Sequence, residues 1–103
     1  MTYNIVISEH ANEELDNILS YIVYKLQNRE AAKAVYSDVL KAYEDLEYMA
    51  GSIALCEDPY LAAKGYHKLL LAHHDYVLLF QISENTVYVN GIFHMLENYR
   101  DKL

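Results

Sequence analysis

The 103-residue sequence contains one cysteine, one proline, three glycines and no tryptophan. The lone Cys56 excludes an intrachain disulfide and a zinc site built from cysteines. Long apolar runs are also missing, because the longest, Leu69–Ala72 and Tyr76–Phe80, fall far short of the roughly 20 residues that a transmembrane helix needs. The start of the chain has no basic region followed by a cleavage site. These absences predict a cytoplasmic protein without a membrane segment.

Basic residues are scarce as well, with 8 Lys and Arg against 15 Asp and Glu, a net charge of −7. Phosphate contacts need Lys and Arg, so this balance is not typical of a free-standing nucleic-acid binder. It also disfavours attachment to anionic membranes. The charge is uneven, however: residues 1–58 carry all of the −7, whereas residues 59–103 sum to zero and hold four of the five histidines. Total charge therefore does not by itself exclude an RNA target.

What the chain has instead is apolar surface: 53% of the residues are hydrophobic, among them 11 tyrosines. That fraction suffices for a core, and the length fits one domain over residues 1–103. Because few Lys or Arg accompany the tyrosines, we expect them in the core and at protein interfaces rather than stacked on bases.

The first half predicts a strand followed by two helices. Thr2–Ile7 alternates like a strand, Ser8 and Asn28 are suited to cap the helices that follow, and Gly51 is a plausible stop for the second. Each helix has an apolar stripe at helical spacing. The first stripe contains Ala11, Leu15, Ile18, Leu19, Ile22 and Leu26; the second contains Ala32, Val35, Val39, Ala42, Tyr43, Leu46 and Met49.

The second half predicts three strands after a loop. The loop covers residues 52–63, and a tail from Met95 to Leu103 has room for one or two helical turns. The strands are Gly65–Ala72, Tyr76–Ile82 and Thr86–Phe93, with turns at His73–Asp75 and Ser83–Asn85. The order β-α-α-β-β-β predicts an α+β fold, in which a helical hairpin packs on one face of a mainly antiparallel four-stranded sheet.

Several segments, in their order and spacing, carry a family resemblance. They are Tyr3–Ser8 with Ala11, Glu14–Ile18 with Tyr21 and Ile22, Gly65–Leu69, Tyr76–Phe80, and Glu84–Val89 followed by Ile92–His94. In this pattern the chain resembles the RelE/ParE superfamily of small toxins from bacterial and archaeal toxin–antitoxin modules. The resemblance implies a cytoplasmic toxin of a type II, plasmid stabilisation-type module, neutralised by a cognate antitoxin. We expect no cofactor and no metal.

Members of the superfamily differ in their targets. The resemblance is therefore compatible with two mechanisms and also with a member that has lost its toxicity. ParE-like toxins inhibit DNA gyrase by binding, whereas RelE-like and YoeB-like toxins cut messenger RNA on the ribosome. Val77, His67 and Met95 stand where nucleases of the superfamily place functional side chains, which favours the ParE-like branch. The alternatives are a ribosome-dependent mRNA endonuclease and a non-toxic member that retains only partner binding.

If the protein is a nuclease, the resemblance implies His94, Tyr99, Lys68 and Arg100 as its catalytic residues. His94, Tyr99 and Arg100 also have structural explanations that we favour. His94 would hydrogen-bond the C-terminal turn, and the tail would pack Tyr99 on the sheet and leave Arg100 in water.

Two further assignments concern ligands and assembly. Imidazole and carboxylate groups suit zinc, but a polar turn is the simpler interpretation of His67, His73, His74 and Asp75. The sequence leaves open whether the protein forms a homo-oligomer.

Overall fold

The structure is a computed structural model that describes residues 2–72 and 75–103. Its main elements follow the predicted order, with one added helix. They are β1 (Asn4–Ile7), α1 (Glu9–Ser20), α2 (Arg29–Met49), α3 (Pro59–Ala63), β2 (His67–Leu70), β3 (Tyr76–Ser83) and β4 (Thr86–His94). A π-helical turn at Tyr21–Lys25 extends α1, and 3₁₀ turns cover Ala50–Ser52 and Tyr99–Lys102. No helix among the described residues is long and apolar enough to cross a membrane.

The strands form one mixed sheet in the order β1-β4-β3-β2. β3 pairs antiparallel with β2 and with β4, as expected for consecutive strands joined by short turns. β1 pairs parallel with β4, from Asn4 opposite Thr86 to Ile7 opposite Val89. The predicted α+β fold, with a helical hairpin packed on a mainly antiparallel four-stranded sheet, is confirmed.

Both long helices begin at the predicted caps. The Ser8 Oγ accepts a hydrogen bond from the Ala11 N–H at 3.0 Å, and the Asn28 Oδ1 accepts one from the Ala31 N–H at 3.0 Å. Each bond satisfies one of the N–H groups that the first turn of a helix leaves without an internal partner. The short connection between the helices therefore lies where the sequence predicts it.

The last turn of the first helix departs from prediction. The Leu26 N–H donates to the Tyr21 carbonyl, five residues back, at 3.1 Å. This wider winding rotates the residues that follow away from the apolar stripe. Leu26, predicted in the core, is 57% exposed. Met49, predicted in the stripe of α2, is 45% exposed because α2 ends there and the next turn buries Ala50 instead.

The predicted loop at residues 52–63 is wrong for its last part, which forms α3. The Asp58 side chain accepts hydrogen bonds from the N–H groups of Tyr60 at 2.8 Å and Leu61 at 3.4 Å, and Pro59 occupies the first helical position. Proline has no N–H to lose there, so it starts this helix rather than preventing it. The predicted turn residues His73 and His74 lie outside the described residues.

Alternation along the central strands gives the sheet two faces with different covers. The face that we call the helix face packs against α1 and α2 through Leu78, Phe80, Val87, Val89 and Ile92. The opposite face, which we call the tail face, buries Val77, Leu79 and Phe93 under Cys56 and Leu61, with Tyr66, Tyr99 and Leu103 packed alongside. The sequence predicts that the two helices pack on the helix face, but it does not predict which residues pack on the tail face.

A β-bulge in β4 sets which side chains point to which face. Leu79 pairs with Gly91, but Phe80 pairs with Val89, so Asn90 is the extra residue. The Asn90 Nδ2 donates to the Gln81 Oε1 at 2.8 Å, which holds the extra residue in place. The Ser8 N–H donates to the Val89 carbonyl at 3.0 Å, so the bulge lies where β1 ends and α1 begins.

Gly91→Ala tests the tight packing beside the bulge. A Cβ at Gly91 would overlap the Phe93 ring, which is fully buried and cannot swing aside because it lies between Tyr99 and His10. We expect Gly91→Ala to lower the free energy of unfolding by about 1–3 kcal/mol in chemical denaturation. Gly51→Ala is the control, since its Cβ would meet only the hydroxyl end of Tyr3. Equal losses from both variants would contradict this account.

Tyr43→Phe tests the one buried side-chain polar atom without a hydrogen-bond partner among the described residues, the Tyr43 hydroxyl. Burial, with a smaller contribution from Tyr36, raises the pKa of Tyr43 to about 12. Because the hydroxyl is desolvated without compensation, its removal should raise the free energy of unfolding by about 1 kcal/mol. Tyr48→Phe, on an exposed ring, should change it by less than about 0.5 kcal/mol. A less stable Tyr43→Phe variant would contradict the prediction.

Candidate functional site

Two of the four nuclease candidates point to opposite faces of the sheet. His94 pairs with Tyr76, which shares the helix face with Leu78 and Phe80. Lys68 pairs with Leu79, which belongs to the tail face. Because side chains directly opposite each other in a sheet share a face, the imidazole and the ammonium group lie on different sides of it.

His94 is held by the turn that follows β4. Its Nδ1 accepts a hydrogen bond from the Leu96 N–H at 3.1 Å, which places the proton of the neutral ring on Nε2. Its own N–H donates to the Glu97 Oε1 at 3.0 Å. The ring also meets Tyr76 edge-on, with 5.4 Å between centroids. The hydrogen bonds with the C-terminal turn that the sequence suggests for His94 are present.

The cavity beside His94 is acidic. It measures about 350 Å³ and is lined by Glu14, Asn17, Ile18, Tyr21, His94 and Glu97. Burial by itself would raise the pKa of Glu97, but hydrogen bonds from Lys102 and from the His94 backbone outweigh it and hold the pKa below its usual value. Glu97 is therefore ionised at neutral pH. Glu14 and Glu97 bring two carboxylates to the lining, and Lys102 pairs with only the second, so the cavity disfavours a phosphate group.

Tyr99 and Arg100 lie by the tail face, and both are engaged in packing. Tyr99 stacks on Phe93 with 5.8 Å between ring centroids. The Arg100 Nε lies 3.6 Å from Asp58 Oδ2, and its guanidinium lies 4.6 Å from the centre of the Tyr60 ring. Lys64 Nζ approaches the same ring at 4.5 Å. Arg100 is exposed, as expected, and its side chain also contacts Asp58 and Tyr60 at the start of α3.

Lys68 and its neighbour His67 lie next to residues that form the core and its edges. Burial raises the pKa of the Cys56 thiol, and the nearby Lys68 ammonium partly offsets that rise. The His67 ring stacks on Phe80 with 4.9 Å between centroids, and its Nδ1 lies 2.7 Å from the Ile53 carbonyl oxygen. Within residues 2–72 and 75–103, no three His, Cys, Asp or Glu side chains are grouped to hold a metal ion.

Sequence reasoning missed a surface at the end of the helical hairpin. Tyr21, Tyr24 and Leu26 are 55%, 78% and 57% exposed, and Lys25 and Arg29 lie beside them on exposed positions. Residues 21–33 hold three basic residues against one acidic residue, so they carry +2 in a chain of −7. This local reversal of charge is visible in the sequence, but dividing the chain at residue 58 averages it away.

The comparisons with known proteins agree with the fold. Eleven chains of solved structures match. One of them, described as "Chromosomal ParDE TA system from P. aeruginosa", superposes with a TM-score of 0.73 at 20% sequence identity, over 90% of this chain and 96% of that chain. At that identity the match establishes likeness of fold alone. A comparison with the curated proteins returns no match.

The sequence itself matches a family model over almost its full length. That model is described as the ParE toxin of the type II toxin–antitoxin system parDE, and the match covers residues 5–99. The resemblance noted in the order of the segments is thereby confirmed, and the chain belongs to the ParE toxin family of type II toxin–antitoxin systems.

Proposed function

We propose that this protein stops cell growth by binding a macromolecular target, DNA gyrase, rather than by cutting RNA, and that its cognate antitoxin prevents that binding. Membership of the ParE toxin family supports the antitoxin as its partner. The observation that carries the choice of mechanism is the placement of His94 and Lys68 on opposite faces of the sheet. The proposed place of action is the cytoplasm, where gyrase works.

Cleavage of RNA makes demands that these side chains do not meet. A nuclease needs cations around the scissile phosphate, together with groups that move protons within hydrogen-bond reach of the 2′-hydroxyl and the leaving oxygen. Here the His94 cavity has carboxylates from Glu14 and Glu97 on its walls. Arg100 is paired with Asp58, away from that cavity. The arrangement therefore supports an activity that depends on surface contacts.

The proposal is tested by inducing the protein alone and together with its antitoxin. We expect growth arrest only without the antitoxin, and loss of DNA supercoiling activity when purified toxin is added to gyrase. Ribosome-bound transcripts should stay intact. Growth arrest with transcripts cut at specific positions would establish the mRNA endonuclease instead. Absence of any growth effect, with the antitoxin still bound, would identify a non-toxic member that retains only partner binding.

Substitution of the nuclease candidates separates the two mechanisms. If the toxin acts by binding, His94→Gln and Lys68→Ala should each change the toxin concentration that inhibits gyrase by less than about twofold, because no proton transfer depends on them. Loss of a general acid or base would instead reduce activity by about 100-fold or more. Thermal unfolding of each variant controls for folding. An arrest that disappears in a folded His94→Gln variant would refute the binding mechanism.

A further inference from the structure

The end of the helical hairpin combines exposed apolar side chains with basic ones. We define the hairpin tip by six residues on the π-helical turn and the start of α2: Tyr21, Tyr24, Lys25, Leu26, Arg29 and Lys33. Tyr21, Tyr24 and Leu26 each have more than half of their surface exposed to solvent. Apolar exposure of this kind, next to cations, is a recurrent property of protein-binding surfaces.

The basic residues of the tip lack the partners that most other basic residues have. In the part of the chain that the structure describes, no carboxylate forms an ion pair with Lys25, Arg29 or Lys33. Elsewhere among the described residues, four of the five basic side chains are engaged: Lys41 with Asp45, Lys102 with Glu97, Arg100 with Asp58, and Lys64 with the Tyr60 ring. The charge of the tip is therefore available to a partner.

The arrangement of these cations is unfavourable for the isolated helix. Arg29 is the first residue of α2, where the helix dipole favours an anion. Lys33 lies four residues later, so two like charges face each other across one turn, and Glu30 is the acid in the first turn that offsets part of this repulsion. Positions that break local electrostatic rules are expected at functional surfaces, where a partner supplies the compensation.

The backbone of the tip is held in an uncommon conformation by its own small core. The chain leaves the π-helical turn through Gln27, a non-glycine residue with φ of 51°, in the left-handed region. Ile22, Ala32 and Val35 are buried beneath the tip. This small core supports the backbone from which the Tyr21 and Tyr24 rings project into solvent.

We infer that the hairpin tip is the surface that docks on the toxin's target, and that it fits an acidic protein surface with an apolar edge; this rests on the proposed function. Tyr24 and Leu26 would bury against the apolar edge, while Lys25, Arg29 and Lys33 meet carboxylates. Nucleic acid fits less well, because an exposed leucine adds nothing to phosphate binding and the rest of the chain carries −9. Antitoxin segments that bind in grooves or along strand edges would use other parts of the toxin.

The chemistry of the tip is tested first without the target. The full-length toxin, purified through its antitoxin complex, is titrated with a short peptide of alternating Glu and Leu while backbone amides are followed by NMR. We expect the shifts to concentrate in residues 21–33 and the binding to weaken as salt rises. Shifts elsewhere, no shifts, or tighter binding of a duplex DNA oligonucleotide at the tip would overturn the inference.

A charge-reversal variant with a matched control completes the test. Arg29→Glu puts an acid where the α2 dipole favours one, so loss of binding cannot be attributed to a weaker helix. Arg29→Glu should lower the affinity for the peptide by about tenfold and abolish growth arrest, while the antitoxin still binds. Asn12→Asp with Asn4→Asp, at exposed positions of α1 and β1, adds the same negative charge away from the tip and should change neither peptide binding nor growth arrest.

The outcomes in cells separate failure of this inference from failure of the proposed function. If the Arg29→Glu variant still arrests growth, the tip is not the surface that binds the target. If that variant also no longer binds the antitoxin, the tip binds the antitoxin instead. If the unmodified toxin causes no arrest and leaves gyrase unaffected, the proposed function fails, and the peptide titration alone decides whether the tip recognises acidic protein surfaces.

Discussion

The pairing of β3 with β4, interrupted by the bulge at Asn90, is the constraint on which the rest of the structure depends. The bulge keeps Val89 and Ile92 together on the helix face and sends Gly91 and Phe93 to the tail face. Without the extra residue, every later side chain of β4 would change face. His94 therefore points towards α1 for the same reason that Phe93 points towards the tail.

Much of this fold can be predicted from the sequence because it depends on local signals. The caps at Ser8 and Asn28 and the apolar run that becomes β3 are short-range features, and the structure has each of them. The π-helical turn is different, since it arises where a helix must fit its neighbours and leaves Leu26 in solvent. Helix α3 was missed because a proline within a polar stretch is typical of loops as well as of helix starts.

The candidate site was less predictable than the fold, because it depends on which face each strand residue occupies. The residue types of His94 and Lys68 allow a catalytic role, and only the register separates them. The tail is a similar case: the sequence favours Tyr99 packing on the sheet, but the pairing of Arg100 with Asp58 needs α3 in place. The net charge of the whole chain, −7, hides the positive charge of the hairpin tip, because it averages over acidic segments.

Three observations indicate a protein that works through its surface. They are its family, the position of His94 and Lys68 on opposite faces of the sheet, and the cations of the hairpin tip that lack ion pairs. The most direct measurement is a binding titration of purified toxin with DNA gyrase, run beside primer extension on ribosome-bound transcripts. The account predicts a saturable complex with gyrase that the antitoxin prevents, and transcripts without new ends. No complex, together with transcript ends that depend on the toxin and vanish in His94→Gln, would contradict it.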